Sequence, residues 1–199
     1  MSGSTVFTPG VITPQAGQPL RQFRCILAPG IWYYDRWEET TNPPEAYKFL
    51  ISNAQREILI WDPYINPQDI DFFINIPQDV SVKGLTCFGS RSRKEQELIS
   101  RSRIASRDWN FHINVKYYDK SIDGGDNSDP FHDRYLFVDE RVFMVGASIG
   151  HHHQRLSTNA IVEIIDSNAR ALVRHRFDKC WNHSYTKNLF SFEGGVFIP

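Results

Sequence analysis

The chain has 199 residues, enough for one domain with a sizeable core, and its 41% hydrophobic and 14% aromatic residues supply the side chains to fill it. That composition excludes disulfide scaffolds, collagen-like chains and wholly disordered ones. With 22 Lys and Arg against 23 Asp and Glu the formal net charge is -1, so any attraction to a polyanion has to come from a local patch.

Residues 1–20 are rich in Ser, Thr, Gly, Pro and Gln, with too few large apolar groups to offset the entropy of ordering, and read as a flexible arm ahead of one domain over 21–199. Pro43 and Pro44 suit a first helical turn, and Ala46, Phe49, Leu50 and Ala54 recur at helical spacing, which predicts a helix over 44–55. The unbroken apolar run Ile58-Leu59-Ile60-Trp61, stopped by Asp62-Pro63, predicts a strand buried on both faces, as in a parallel sheet between helix layers. A short helix over 67–74 and a strand over 80–87 follow, the latter with imperfect alternation of Val80, Val82, Leu85 and Cys87. The polar segment 92–107 predicts a helix, and Phe111, Ile113, Val115 and Tyr117 alternate along a strand over 111–117. Gly and Asp then mark 121–130 as a loop.

Two strands, 131–138 and 141–147, lie close enough for a hairpin around Glu140. A polar loop over 150–158, a strand over 159–166 and a helix capped by Asp166 or Ser167, running to Trp181 and burying Leu172, Val173 and Phe177, complete the series. The tail beyond Asn182 carries Tyr185, Phe190, Phe192 and Phe197 and is expected to pack back on the body. Helices alternating with strands give an α/β fold class, a mostly β-sheet core between helices. Cys25, Cys87 and Cys180 lack the paired spacing of a zinc site and read as reduced and buried. No basic-then-apolar leader opens the chain and no run of 18 apolar residues occurs, so a soluble, cytoplasmic protein is expected.

Chemistry concentrates in the stretch FHDRYLFVDERVFMVGASIG. His132 and Arg134 are two apart, so on a strand they project from one face; Asp139 lies five beyond Arg134, and Gly146-Ala147-Ser148 is a run of small residues that admits a substrate to the backbone. An imidazole attacks or protonates and a guanidinium holds oxyanions bidentately, which together point to a phosphate-ester site. A His-x-Arg pair also occurs as an ordinary surface or core pair; the Gly/Asp loop that precedes this one favours function.

These residues resemble the phospholipase D superfamily, whose signature H-x-K-x4-D followed by x6-G-S-x-N stands here as His132, Arg134 and Asp139, then Gly146, Ala147, Ser148 and Ile149. The segments EILIWDPYI and NAIVEIIDSNARALVRHRFDKCW extend the resemblance over about residues 44–181. Among the departures from the signature, Arg134 replaces its lysine and Ile149 its asparagine. The resemblance implies a phospholipase-D-like fold and a metal-independent phosphodiesterase with no cofactor. His132 is then the nucleophile or acid, Arg134 the phosphate clamp, Asp139 a support and Ser148 part of the pocket lining. Active members bring two motif copies to one site, and this chain carries one, so the resemblance implies a homodimer, as in the small bacterial endonuclease members. H-D-R also resembles the phospholipase-D-like domain found behind MIT domains, which binds membrane phosphoinositides. That implies the alternative, a catalytically degenerate phosphate-binding module that recruits its partner or host complex to nucleic acid or anionic membrane, or a dimerising part of a larger assembly.

The segment Arg91 to Arg107 holds six basic residues against Glu95 and Glu97, and Arg101, Arg103 and Arg107 are candidate phosphate contacts. The bland reading is a solvated helix face. With no apolar insertion surface beside it, the segment favours nucleic acid over membrane as partner. The run His151-His152-His153 and the acids Asp123, Asp126 and Asp129 read as solvated loops rather than metal ligands. Trp32, Tyr33, Tyr34 and Trp37 read as core or interface aromatics before base-stacking ones. Because residues 1–20 add nothing to the core, their removal is expected to leave the calorimetric melting temperature unchanged; a large drop would place the arm in the packed structure.

Overall fold

The computed structural model of the protein describes residues 23–25, 43–88, 93–119, 133–146 and 161–199. The arm, the loops over 121–130 and 150–158, the aromatic cluster 32–37 and the side chain of Cys25 lie outside the described residues. The elements are β1 (Phe23–Cys25), α1 (Pro43–Ser52), β2 (Glu57–Trp61), a 3-10 helix (Pro67–Asn75), β3 (Ser81–Phe88), α2 (Arg93–Ala105) with a 3-10 turn (Ser106–Asp108), and β4 (His112–Asp119). Then come β5 (Arg134–Val138), β6 (Arg141–Val145), β7 (Ile161–Ile164), α3 (Ser167–Trp181), β8 (Thr186–Glu193) and β9 (Val196–Ile198). The described strands form a single sheet of mixed α/β character, ordered β1-β7-β6-β5-β2-β3-β4-β8-β9. Its β2, β3 and β4 are parallel and its remaining pairings antiparallel.

The sheet is buried on two sides because its central strands carry apolar residues at consecutive positions. Ile58 and Ile60 point to a layer made by α1, the 3-10 helix and α2, where Tyr47, Leu50, Ile70, Phe73 and Leu98 meet them. Leu59 and Trp61 point the other way, to α3, where Phe177 and Trp181 cover them. No described helix is long and apolar enough to cross a membrane. The imperfect alternation in β3 has a packing cause: Val82 and Leu85 serve opposite faces, and Gly84 sits between them because a Cβ there would come within 3.2 Å of Val115 Cγ2.

Several expectations need correction. On α1 the inner face is Tyr47, Leu50 and Ile51, with Ala54 beyond the helix, whereas Phe49 is 55% exposed. Apolar spacing alone does not choose between two helix stripes offset by one residue. On α3, Phe177 is fully buried and Val173 half-buried, but Leu172 is 63% exposed, one position off the stripe that meets the sheet. Cys87 is buried while Cys180 is only half-buried, and neither is in a disulfide. The aromatic tail does pack back, as β8 and β9 on the β4 edge, with Phe190 and Phe192 in the core. Asp166 caps α3, its carboxylate accepting from the Ala169 N–H at 2.7 Å.

The hairpin of β5 and β6 turns through Asp139 and Glu140, with Val138 opposite Arg141. Asp139 has φ of 53°, a left-handed conformation that is strained for a side-chain-bearing residue and is held from outside. Its carboxylate accepts the N–H groups of Gln55 (3.0 Å), Arg56 (2.8 Å) and Glu57 (3.1 Å), and its own N–H donates to the Glu57 carbonyl at 2.9 Å. Partial burial pushes the carboxyl pKa up, but the three amide hydrogen bonds, from Glu57, Gln55 and Arg56, outweigh it and hold the pKa below the ordinary value. A depressed carboxyl pKa stabilises the fold fully above the unfolded value, about 3.9, and loses that contribution as pH falls through the folded value. In urea melts at pH 7, Asp139→Ala is therefore expected to cost about 1–2 kcal/mol, by analogy with loss of a carboxylate cap. The gap from wild type should close as pH falls below about 4.

Candidate active site

The carboxyl ends of parallel strands are where open α/β sheets place their ligands. At this edge β2 ends in Trp61 and the chain continues into Asp62, while the antiparallel neighbour β5 begins there with Arg134 and β6 ends there at Val145. Register brings the two charges together: Tyr135 pairs with Trp61, so Arg134 and Asp62 extend the same pairing by one residue. Arg134 Nε lies 3.6 Å from Asp62 Oδ1, and Nη1 donates to the Gly146 carbonyl at 3.3 Å. The guanidinium sits over the Tyr64 ring, 5.0 Å from its centroid, which fixes the plane in which its donors lie.

Asp62 is 2% exposed and is itself oriented, its Oδ1 accepting the Tyr64 N–H at 2.8 Å while its N–H donates to the Leu85 carbonyl at 3.0 Å. Asp69, 1% exposed on the 3-10 helix, accepts the Asn66 N–H through Oδ2 at 2.7 Å. Tyr47 is buried alongside; burial first, and then the charges of Asp62 and Asp69, push its phenol well above the ordinary value although Arg134 opposes them, so it is a neutral hydrogen-bonding group. Lys94, in the first turn of α2, is half-buried; desolvation lowers its pKa, while Asp69 and then Asp62 act against that shift. Two buried carboxylates and two cations thus share one end of the sheet. The arrangement presents a rigid guanidinium, with five N–H donors in a fixed fork, to a ligand arriving at the strand ends.

Of the residues named from the sequence, Arg134 is at this edge. His132, two residues before it, and Ser148, two residues after Gly146, lie outside the described residues. Asp139 is not at this edge: it stands past the opposite end of β5, five residues or about 17 Å of strand from Arg134, and its carboxylate is occupied by backbone amides. The basic segment is also elsewhere. Arg101 is seven residues, about 10 Å of helix rise, beyond Lys94, and both its Nε and Nη2 pair with Asp71. Arg103 lies over Phe197, 5.5 Å from the ring centroid, and Arg107 is exposed on the 3-10 turn that follows.

Sequence reasoning passed over Tyr47, Asp62, Tyr64 and Asp69. For Asp62 a signal existed, an acid directly following a strand too apolar to be anything but central; for Tyr47 and Asp69 none did, since their meeting depends on how α1 and the 3-10 helix lie across the sheet. Removing Asp62 leaves the Arg134 charge without its carboxylate and the Tyr64 amide without its acceptor. Asp62→Ala is expected to lower stability by about 3 kcal/mol in equilibrium denaturation, and Asp62→Asn by less, because an amide oxygen still accepts from Tyr64.

No protein-family model matches the chain, and no curated protein sequence matches it. Solved structures do. The chain is similar to TrmBL2, described as an archaeal chromatin protein with a novel mode of DNA binding, at 18% identity and a TM-score of 0.43, covering 84% of this chain and 54% of that one. It thus spans about half the length of that protein. It is similar to Nuc from Salmonella typhimurium, a phospholipase D family member, at 15% identity and a TM-score of 0.49, covering 72% of this chain and 88% of that one. Phosphatidylserine synthase from Haemophilus influenzae Rd KW20 is similar at 14% identity and a TM-score of 0.49, over 75% of this chain and 37% of that one. At these identities the likeness is one of fold.

Proposed function

We propose that the sheet edge carrying Arg134 binds a phosphodiester, and that the protein is a metal-independent phosphodiesterase of the nuclease class acting as a homodimer. The observation that carries this reading is the placement of the Arg134 guanidinium, oriented by Asp62, the Gly146 carbonyl and the Tyr64 ring, at the strand ends and two residues from His132. In this reading a ring nitrogen of His132 attacks phosphorus, the bond from phosphorus to the leaving oxygen breaks, and the partner copy's imidazolium gives that oxygen its proton. Water then attacks the phosphohistidine, releasing the second product and restoring the ring. Arg134 pairs with the non-bridging oxygens throughout. Each chain has one such motif, which is why two copies are required.

A second reading draws support from a specific contact. The guanidinium already lies 3.6 Å from a buried carboxylate, so its charge is partly balanced before any ligand arrives, which suits a module that holds phosphate without turning it over. The two readings separate in one experiment on purified protein with single- and double-stranded DNA, RNA and a phosphodiester dye, with and without EDTA. The catalytic reading expects cleavage that survives EDTA and falls by at least about a hundredfold in His132→Ala with binding largely kept, since an acid–base or nucleophilic group acts chiefly in the transition state. The module reading expects binding without turnover, lost more in Arg134→Ala than in His132→Ala. Metal-dependent cleavage that persists in His132→Ala would overturn the histidine mechanism.

A further inference from the structure

Away from the Arg134 edge, among the described residues, α3 covers only part of its face of the sheet. Trp181, at the end of α3, packs with Phe177 over Leu85, Cys87 and Tyr118, and beyond it the same face of β3, β4 and β8 carries polar side chains. Lys83 and Lys116 stand there on adjacent parallel strands, Leu85 being the register partner of Lys116 and Asn114 that of Lys83, so the two lysines are diagonal neighbours. Both ammonium groups lie over one indole: Lys116 Nζ is 4.5 Å and Lys83 Nζ 5.8 Å from the Trp181 ring centroid, and Lys116 Nζ also donates to the Trp181 carbonyl at 3.3 Å.

Like charges this close repel, and proteins ordinarily interleave a carboxylate. Neither lysine forms an ion pair with a carboxylate among the described residues. Desolvation, and after it the charge of Lys83, lowers the Lys116 pKa. Both lysines are partly exposed. Around them the face offers uncharged hydrogen-bonding groups: Asn114, opposite Lys83 on β4, pairs in turn with Ser191 on β8. Among the described residues of β8, the carboxylate of Glu193 stands two residues further along.

We propose that Lys83 and Lys116 form an anion site on this sheet face that takes a phosphate of a nucleic-acid strand, outside the Arg134 edge. Charge complementarity selects the occupant: a phosphate between two ammonium heads removes their repulsion, and neighbouring amide and hydroxyl side chains suit the sugar and phosphate oxygens of a continuing backbone. The site rests on the reading of nucleic acid as the substrate class but not on cleavage. It differs from the basic segment of α2, which lies on the other layer and whose Arg101 already has Asp71 as partner.

The test is binding of a labelled single-stranded oligonucleotide by anisotropy across a salt series, comparing wild type with Lys83→Gln/Lys116→Gln in the full chain. Glutamine keeps the stem over Trp181 and removes both charges. The double variant is expected to bind severalfold more weakly, with the slope of log affinity against log salt reduced by about 0.7, the value for one phosphate of a single strand. Its melting temperature should be unchanged or raised, because the repulsion is gone. Equal affinity and slope in a folded double variant would overturn the proposal, as would failure of wild type to bind the oligonucleotide at low salt. Weakening that is matched by inorganic phosphate competing equally well with the oligonucleotide would also overturn it, leaving a small-anion site. Cleavage by wild type is scored separately. Cleavage with an unaltered double variant removes this site alone, and weakened binding in the variant without wild-type turnover keeps this site while removing the catalytic reading.

Discussion

The register of β5 on β2 is the constraint on which the rest of the site depends. Side chains alternate along a strand, so a slip of one residue would turn Arg134 to the opposite face and leave the buried Asp62 carboxylate without its cation. The pairing is fixed at its far end, where the Asp139 carboxylate gathers the amides of residues 55–57 as β2 begins. Four residue pairs, from Ile58 with Val138 to Trp61 with Tyr135, carry that register to the functional edge. Asp139 thereby acts on the site from about 17 Å away, through backbone hydrogen bonds rather than contact.

The same strand organises the layers. The Arg174 guanidinium pairs with both carboxylate oxygens of Glu57, Nη1 to Oε1 at 2.7 Å and Nη2 to Oε2 at 3.0 Å, fastening α3 to the start of β2. From that anchor α3 lays Phe177 against Trp61 and Phe137 and ends with Trp181 stacked on Phe177. On the other side α1 and the 3-10 helix bring Tyr47 and Asp69 toward Asp62, so both layers contribute to what surrounds the strand ends. Asp62 and Asp69 are affordable in that interior because backbone amides and neighbouring cations meet them.

Local pattern determined much of this protein. The apolar run 58–61, the alternation from Phe111 to Tyr117, the cap at Asp166 and the two-residue turn at 139–140 are each read from residues close in the chain, because period and turn chemistry are local properties. Which stripe of a helix faces inward was not, and Phe49 and Leu172 ended exposed, since neighbouring stripes differ by one position and only the facing sheet selects between them. Tertiary structure alone decided that Asp139 anchors while Asp62 pairs with Arg134, that Lys94 turns inward while Arg101 pairs with Asp71, and that Lys83 and Lys116 converge over Trp181. Each of these depends on residues 25 or more positions apart, and a charge's partner is set by strand order and register, which no local spacing encodes.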